Sequence, residues 1–218
     1  MNDHPAKRKE SISAKILRSA VVIGGWLPLF LLAWNAISSN LGFNPIETVL
    51  RYTGRVAVIF LLLSLTCTPL HRIFKLPAVR RLRKPLGLFA ALYAMIHFIT
   101  FALWDYQLDL SLIWLEISQK PFILIGTAAL IILVLLTATS FKSVQRKMGK
   151  GWIKLHRLVY AAGVLVSVHY LFAIKGDLFS LQGAYGPPII AGSVLILLLA
   201  LRLPFIYRPL HRLIGRQD

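Results

Sequence analysis

The sequence has 218 residues, enough for one compact domain, and 57% of them are hydrophobic whereas only 15% are charged. This composition excludes an ordinary water-soluble domain. The formal net charge of +17 would suggest nucleic acid as the partner of a soluble protein, but here the basic residues lie between long apolar runs, so no nucleic-acid partner is expected. The single cysteine, Cys67, excludes an intrachain disulfide.

Apolar runs follow one another along the chain and predict six transmembrane helices. They cover residues 20–37, 56–70, 86–104, 121–139, 155–174 and 188–201. Each run must be helical, because an isolated strand could not satisfy its backbone hydrogen bonds in lipid. The predicted fold is an all-α polytopic membrane protein, a six-helix bundle over residues 20–207 with tails at 1–19 and 208–218.

The basic residues predict the orientation of this bundle. Of the 25 Lys and Arg residues, 21 lie in four segments, which are residues 1–19, 71–84, 141–157 and 202–218. Five of the eight acidic residues lie in the alternate segments. Cytoplasmic segments carry an excess of Lys and Arg, so both termini are expected on the cytoplasmic side, and the cytoplasmic basic segments are expected to contact anionic lipid headgroups.

Three histidines lie in apolar sequence, namely His97, His156 and His169. Ionisable groups inside a membrane are costly and are usually functional. A proton relay usually includes Asp or Glu, which the runs nearly lack. Neutral imidazole can ligate a metal or a haem iron without carrying charge into the membrane. A haem, another metal site and a small transporter therefore remain open, and the transporter would have a polar cavity lined by residues such as Asn35, Ser64 and Thr66.

The depth of the histidines favours one pairing. With about 1.5 Å of rise per residue, His97 and His169 lie about 18 and 25 Å from the cytoplasmic ends of two parallel helices, so both belong to the outer half of the bilayer. They could ligate one haem from opposite sides. His156 lies about 20 Å lower, near the cytoplasmic surface. His156 and His169 are thirteen residues apart, which corresponds to a rotation of about 220° around a straight helix, so their rings would not share a face. Two stacked haems would therefore require a bend, for example near Gly163, or a lateral offset of the haems.

Several short motifs resemble a known family. They are TGR at 53–55, RLRKPLGL at 81–88, QRKMG at 145–149, LHRLVY at 155–160 and HYL at 169–171. Together they resemble MsrQ (YedZ), the haem-binding membrane subunits of bacterial periplasmic methionine sulfoxide reductase systems, within the ferric-reductase-like transmembrane group.

This resemblance implies a subunit of the bacterial inner membrane that carries one or two haems b and performs no sulfoxide chemistry itself. Electrons would come from the quinone pool or a cytosolic flavin reductase. They would pass to a periplasmic molybdenum-cofactor reductase of the MsrP type. The resemblance also implies FMN as a further cofactor of the chain. A transmembrane ferric reductase is the nearest alternative, although it would normally have a fourth histidine and a fused flavin–nucleotide domain.

The resemblance also implies roles for two arginines. Relatives with two haems place two histidines 14 residues apart on the third helix, and Arg83 stands at that distance before His97. Either one haem binds between His97 and His169, or His156 has another partner such as His71 or His211. Arg83 would then contact haem propionates or an FMN phosphate, unless it only sets the topology. Arg55 would pair with propionates of the outer haem, unless it is an interfacial charge.

Overall fold

The computed structural model describes residues 12–174 and 185–203, and the regular structure in these ranges is helical. The α-helices are α1 (Ile12–Ile37), α2 (Pro45–Phe74), α3 (Pro77–Ile99), α4 (Leu110–Gln119), α5 (Pro121–Ala138), α6 (Lys142–Met148), α7 (Lys150–His156), α8 (Leu158–Phe172) and α9 (Gly186–Ala200). Most of the predicted N-terminal tail, all of the tail at 208–218, and His211 lie outside the described residues.

Five helical stretches are long and apolar enough to cross a bilayer. They are Ala14–Ile37, Pro45–Phe74, Pro77–Asp105, Pro121–Ala138 and Lys150–Phe172. Helix α9 is a shorter apolar helix of 15 residues. The prediction of an all-α polytopic membrane protein is therefore confirmed. A helix of 15 residues spans about 22 Å, less than the roughly 30 Å of the hydrocarbon core, so the described part of α9 is shorter than a full crossing.

The second predicted run, 56–70, was too short. Helix α2 has 30 residues, because its first turns are stabilised locally despite their polarity. The side chain of Asn44 accepts a hydrogen bond from the backbone N–H of Glu47, which caps the helix, and Pro45 occupies the first turn. The guanidinium of Arg51 pairs with the carboxylate of Glu47 at 2.6 Å, one helical turn away.

Within the third predicted run, α3 continues into a π-helical turn, Thr100–Asp105. After it, Gln107 and Leu108 adopt left-handed backbone conformations, with φ of 48° and 60°. These residues turn the chain into α4, a short helix that was not predicted. Asp109 caps α4 by accepting hydrogen bonds from the backbone N–H groups of Ser111 and Leu112.

The fifth run is divided into α7 and α8 at Arg157. Its backbone N–H donates to the carbonyl of Lys154, and its carbonyl accepts from the N–H of Tyr160, so the hydrogen bonds here are of the tighter i to i+3 type. Two stacked haems would require a bend between His156 and His169, for example near Gly163, or laterally offset haems, and the structure has a break between these histidines at Arg157. Gly149, with φ of 51°, ends α6 immediately before α7.

The core of the bundle lies between α2 and α3, with α8 and α9 completing it. Leu65, Ala90, Tyr93 and Ala162 are almost fully buried there. The hydroxyl of Tyr93 donates to the backbone carbonyl of Gly25 at 2.8 Å, which fixes α1 to α3. We call the end of the bundle at which α2 ends and α3 and α7 begin the basic end.

Candidate functional site

His97 and His169 lie side by side at the centre of the candidate site. His97 belongs to the last turns of α3 and His169 to the last turn of α8. Their ring centres are 6.2 Å apart and the ring planes make an angle of 82°. Two metal–nitrogen bonds of about 2 Å, with about 1 Å from each nitrogen to its ring centre, give roughly 6 Å for two imidazoles on opposite sides of one metal. The separation of the pair therefore suits two ligands of one metal ion.

Each imidazole is fixed by a hydrogen bond from its Nδ1 to a backbone carbonyl on a neighbouring helix. For His97 the acceptor is the carbonyl of Leu50 on α2, at 2.9 Å. For His169 it is the carbonyl of Phe122 on α5, at 2.7 Å. Because a carbonyl can only accept, both Nδ1 atoms carry the proton and both Nε2 atoms have a lone pair for a metal. Such a second bond commonly orients histidine ligands of metals.

Two glycines allow the helices to approach these rings. A Cβ atom on Gly126 of α5 would lie 2.6 Å from Nδ1 of His169, far inside van der Waals contact. A Cβ atom on Gly54 of α2 would lie 3.2 Å from Nδ1 of His97. Each histidine therefore packs against a bare stretch of backbone on the facing helix.

A cavity of about 710 Å³ surrounds the two rings, within the range of sites for organic cofactors. Apolar side chains from α2, α3, α5 and α8 line most of it, including Leu61, Phe98, Leu133 and Val166. Toward the end opposite the basic end, charged residues complete the wall, among them Arg55. No described group accepts a hydrogen bond from the Arg55 guanidinium, which is exposed and available to an anionic group of a ligand.

The segment that follows α3 forms part of the outer wall of the cavity. The Tyr106 ring packs on Phe101 with ring centres 4.7 Å apart, and its hydroxyl lies within electrostatic reach of the Glu116 carboxylate. Burial, and then this carboxylate, raise the pKa of Tyr106 to about 12, so the phenol keeps its proton. Glu116 also pairs with Lys120, whose ammonium lowers the pKa of the Glu116 carboxyl.

The remaining predicted ligand, His156, lies apart from this pair, at the basic end. The Thr139 hydroxyl donates to the carbonyl of Leu135 at 2.7 Å, so its oxygen accepts from Nε2 of His156 at 3.1 Å. The His156 ring also packs against Trp152, with ring centres 4.1 Å apart. In this arrangement Nε2 carries a proton, so it would have to leave Thr139 before it could ligate a metal.

Comparison with known proteins identifies the family. Residues 53–167 match the family described as ferric reductase like transmembrane component. A protein of Deinococcus radiodurans is 43% identical over 162 residues, covering 74% of this chain and 80% of its own length. Proteins of Bordetella pertussis and Bordetella parapertussis are each 37% identical over 188 residues, covering 85% of this chain and 88% of their own length. All three are named protein-methionine-sulfoxide reductase heme-binding subunit MsrQ. The chain belongs to the MsrQ family.

The site of this MsrQ-family chain fits a haem. The two imidazoles have a separation that suits two ligands of one iron, and the Nε2 atoms, whose lone pairs are not used by the Nδ1 hydrogen bonds, would be the ones to bind it. The surrounding cavity is lined mostly by apolar side chains, as a porphyrin ring would require, and its wall includes the guanidinium of Arg55, which has no hydrogen-bond acceptor among the described residues and could pair with propionates. Groups of three or more His, Cys, Asp or Glu side chains that could hold a metal ion are absent from the described residues.

The other residues singled out from the sequence lie elsewhere in the MsrQ-family bundle. Arg83 is half-buried near the basic end, within electrostatic reach of His156. His71 lies there too, with Nδ1 at 2.9 Å from the carbonyl of Leu76. A transporter would have a polar cavity lined by residues such as Asn35, Ser64 and Thr66. None of these three residues lines the cavity around the two histidines.

Sequence reasoning missed the glycines and the carbonyls that hold the two histidines. Gly54 lies in the TGR motif at 53–55, but its proximity to His97 depends on how α2 and α3 cross. Gly126 stands alone in an apolar run and gave a weaker signal still. An isolated glycine in a membrane helix, at about the depth of a histidine on another helix, is the pattern that could have found both.

Proposed function

We propose that the chain is the haem-carrying electron-transfer subunit of a bacterial inner-membrane system that reduces methionine sulfoxide in periplasmic proteins. One haem b would be held between His97 and His169. The observation that carries this proposal is the pair of imidazoles, 6.2 Å apart, each with Nδ1 bound to a carbonyl. The names of the relatives support the same cofactor for this chain.

A haem bound here would supply reversible one-electron chemistry. The chain would provide everything else. The carbonyls of Leu50 and Phe122 keep both Nδ1 atoms protonated and make the imidazoles stronger donors to iron. Arg55 would pair with a propionate, and the apolar wall would exclude water from the iron.

The direction of electron flow follows from the predicted orientation. Electrons would enter at the basic end, on the cytoplasmic side, from quinol or a flavin reductase, with FMN as a candidate carrier. They would leave at the opposite end for a molybdenum-containing reductase of the MsrP type. His156, Arg83 and Trp152 lie on the side where electrons would enter, and a second haem with His156 as ligand belongs to the same proposal.

Spectroscopy of the purified chain tests the outer site. The reduced-minus-oxidised spectrum should show a b-type haem in the parent, and His97→Ala and His169→Ala should each abolish it. His156→Ala is the matched control, since it removes an imidazole outside the cavity and should leave the outer haem in place. A pyridine haemochromogen assay gives the number of haems, and a drop from two to one in His156→Ala would assign the second. Loss of all haem in His156→Ala alone would contradict the proposed pairing.

A second candidate function is favoured by the description of the matched family. A ferric reductase would deliver electrons to external iron instead of a protein. The reduced chain, in detergent, would then be reoxidised by ferric citrate as rapidly as by the periplasmic reductase. Under the main proposal, ferric citrate reoxidises it at least about tenfold more slowly, because the cavity wall keeps iron chelates away from the histidine pair.

A further inference from the structure

Arg202 places a positive charge between the helices at the basic end. Pro69, inside α2, has no N–H, so the carbonyl of Leu65 lacks its helical partner. Nη2 of Arg202 donates to this carbonyl at 2.5 Å. Nη1 donates to the hydroxyl of Tyr160, and the guanidinium lies over the Tyr160 ring at 4.5 Å from its centre. The charge is therefore fixed in position by α2 and α8.

A second arginine converges on the same turn of α2. The hydroxyl of Ser64 donates to the backbone carbonyl of Arg83 at 2.9 Å, which fixes α3 one residue away from Leu65. The Arg83 guanidinium acts electrostatically on both Arg202 and His156. It is half-buried, and no described group accepts a hydrogen bond from it.

These two cations have no acidic counterpart in the part of the chain that the structure describes. The acidic residues there all belong to the opposite end of the bundle, namely Glu47, Asp105, Asp109 and Glu116. In addition, Nε of Arg202 is buried and no described group accepts its hydrogen. Like charges held together in a membrane protein without a counterion are costly. An anion bound from outside would remove that cost.

We infer that Arg83 and Arg202 form a binding site for an oxyanion, a phosphate or carboxylate group, beside His156 at the basic end. The planar guanidinium fork matches two oxygens of such a group. Three sources share this chemistry, which are the headgroup of an anionic lipid, the phosphate of a nucleotide cofactor and the carboxylate of a porphyrin. The site follows from the electrostatics of the described residues and does not depend on a haem between His97 and His169.

Thermal unfolding of the full chain in neutral detergent tests the site with inorganic phosphate as probe. The unfolding midpoint should rise saturably with phosphate and not with chloride at equal ionic strength. In Arg83→Gln the phosphate concentration for half of the rise should increase about tenfold or more, as expected for the loss of a charge-assisted hydrogen bond. Arg80→Gln is the matched control, because Arg80 is exposed one turn earlier on α3, and it should respond as the parent does.

A conservative variant of the second arginine complements Arg83→Gln. Arg202→Lys keeps the charge but loses the fork and should bind phosphate more weakly than the parent. Phosphatidylglycerol that copurifies with the parent but not with Arg83→Gln would identify a lipid source. Competition by FMN but not riboflavin would identify a nucleotide, and a phosphate response confined to haem-free protein would identify a porphyrin. Equal phosphate responses in the parent, Arg83→Gln and Arg80→Gln would overturn the inference.

Discussion

At the scale of single residues, the close approach of α5 to His169 makes Gly126 sensitive to the smallest substitution. In Gly126→Ala the added methyl group would lie 2.6 Å from Nδ1, so the ring must move and its bond to the Phe122 carbonyl must break. Gly54→Ala should do less, since its Cβ would lie 3.2 Å from the His97 ring. We expect haem content, measured by pyridine haemochromogen, to fall most in Gly126→Ala and less in Gly54→Ala.

Gly192→Ala on α9 is the control for this series, because nothing lies within 4 Å of its added methyl group. All three substitutions change helix propensity in the same direction, by about 1 kcal/mol in favour of Ala, so differences between them report the contact with the ring. Full haem content in Gly126→Ala would mean that His169 is not held as described here.

The residues predicted from the sequence were those whose chemistry is expensive in a membrane. Histidine in an apolar run stands out by type, and counting residues placed His97 and His169 in the same half of the bilayer. Their contact, and the separation of His156 from them, agree with that depth, whereas their role as ligands remains a prediction. The glycines and carbonyls that hold the rings could not be predicted, because they are defined by how two helices cross, and a single sequence does not contain the crossing geometry.

At the scale of secondary-structure elements, α4 and the turn before it depend on ionised carboxylates. Glu116 forms an ion pair with Lys120, and this ammonium first, with the nearby Tyr106 hydroxyl, holds the pKa of the Glu116 carboxyl below its ordinary value. A lowered pKa in the folded state contributes stability above the unfolded pKa, which is lost as the pH falls through the lowered value. Amide exchange of α4, corrected for its intrinsic rate, should be constant from pH 7 to 5 and accelerate below about pH 4.

Asp109 is a second carboxylate whose pKa is lowered in the folded protein. Its carboxylate accepts from Ser111 and from the backbone of Leu112, and these bonds, the Ser111 side chain first, lower the pKa of Asp109. Comparison of Glu116→Gln with Asp109→Asn separates the two carboxylates, because each variant should retain only the other's pH dependence. Unchanged acid-induced exchange in both variants would show that neither carboxylate holds α4 in place.

Elements were predicted well where hydropathy alone decides and poorly where local capping decides. Pro121 marked the start of α5, and the apolar run there matched the helix within one residue. The length of α2 was underestimated, because Arg51 and Arg55 interrupt the apolar run. In the structure the Asn44 cap and the Glu47–Arg51 pair stabilise these turns, so the helix includes both arginines. Helix α4 lies outside the apolar runs used for prediction, and its N-cap at Asp109 was the available signal.

At the scale of the whole molecule, the charge distribution sets the proposed direction of electron flow. The basic end gathers the described residues of the segments that hold 21 of the 25 Lys and Arg. The described acidic residues all lie at the other end, where the cavity has its charged wall. If the basic end is cytoplasmic, then the histidine pair lies toward the periplasm, which is the side that a periplasmic electron acceptor requires.

Labelling of cysteine variants in spheroplasts tests this orientation. In a Cys67→Ala background, Gln107→Cys places a thiol in the exposed turn before α4, and Lys147→Cys places one on the exposed part of α6 at the basic end. A membrane-impermeant maleimide should label Gln107→Cys in spheroplasts and should label Lys147→Cys only after the membrane is opened. The Cys67→Ala chain, which has no cysteine, is the control for background labelling. The reverse pattern would place the histidine pair toward the cytoplasm, and the chain could then not carry electrons to the periplasm in the way proposed.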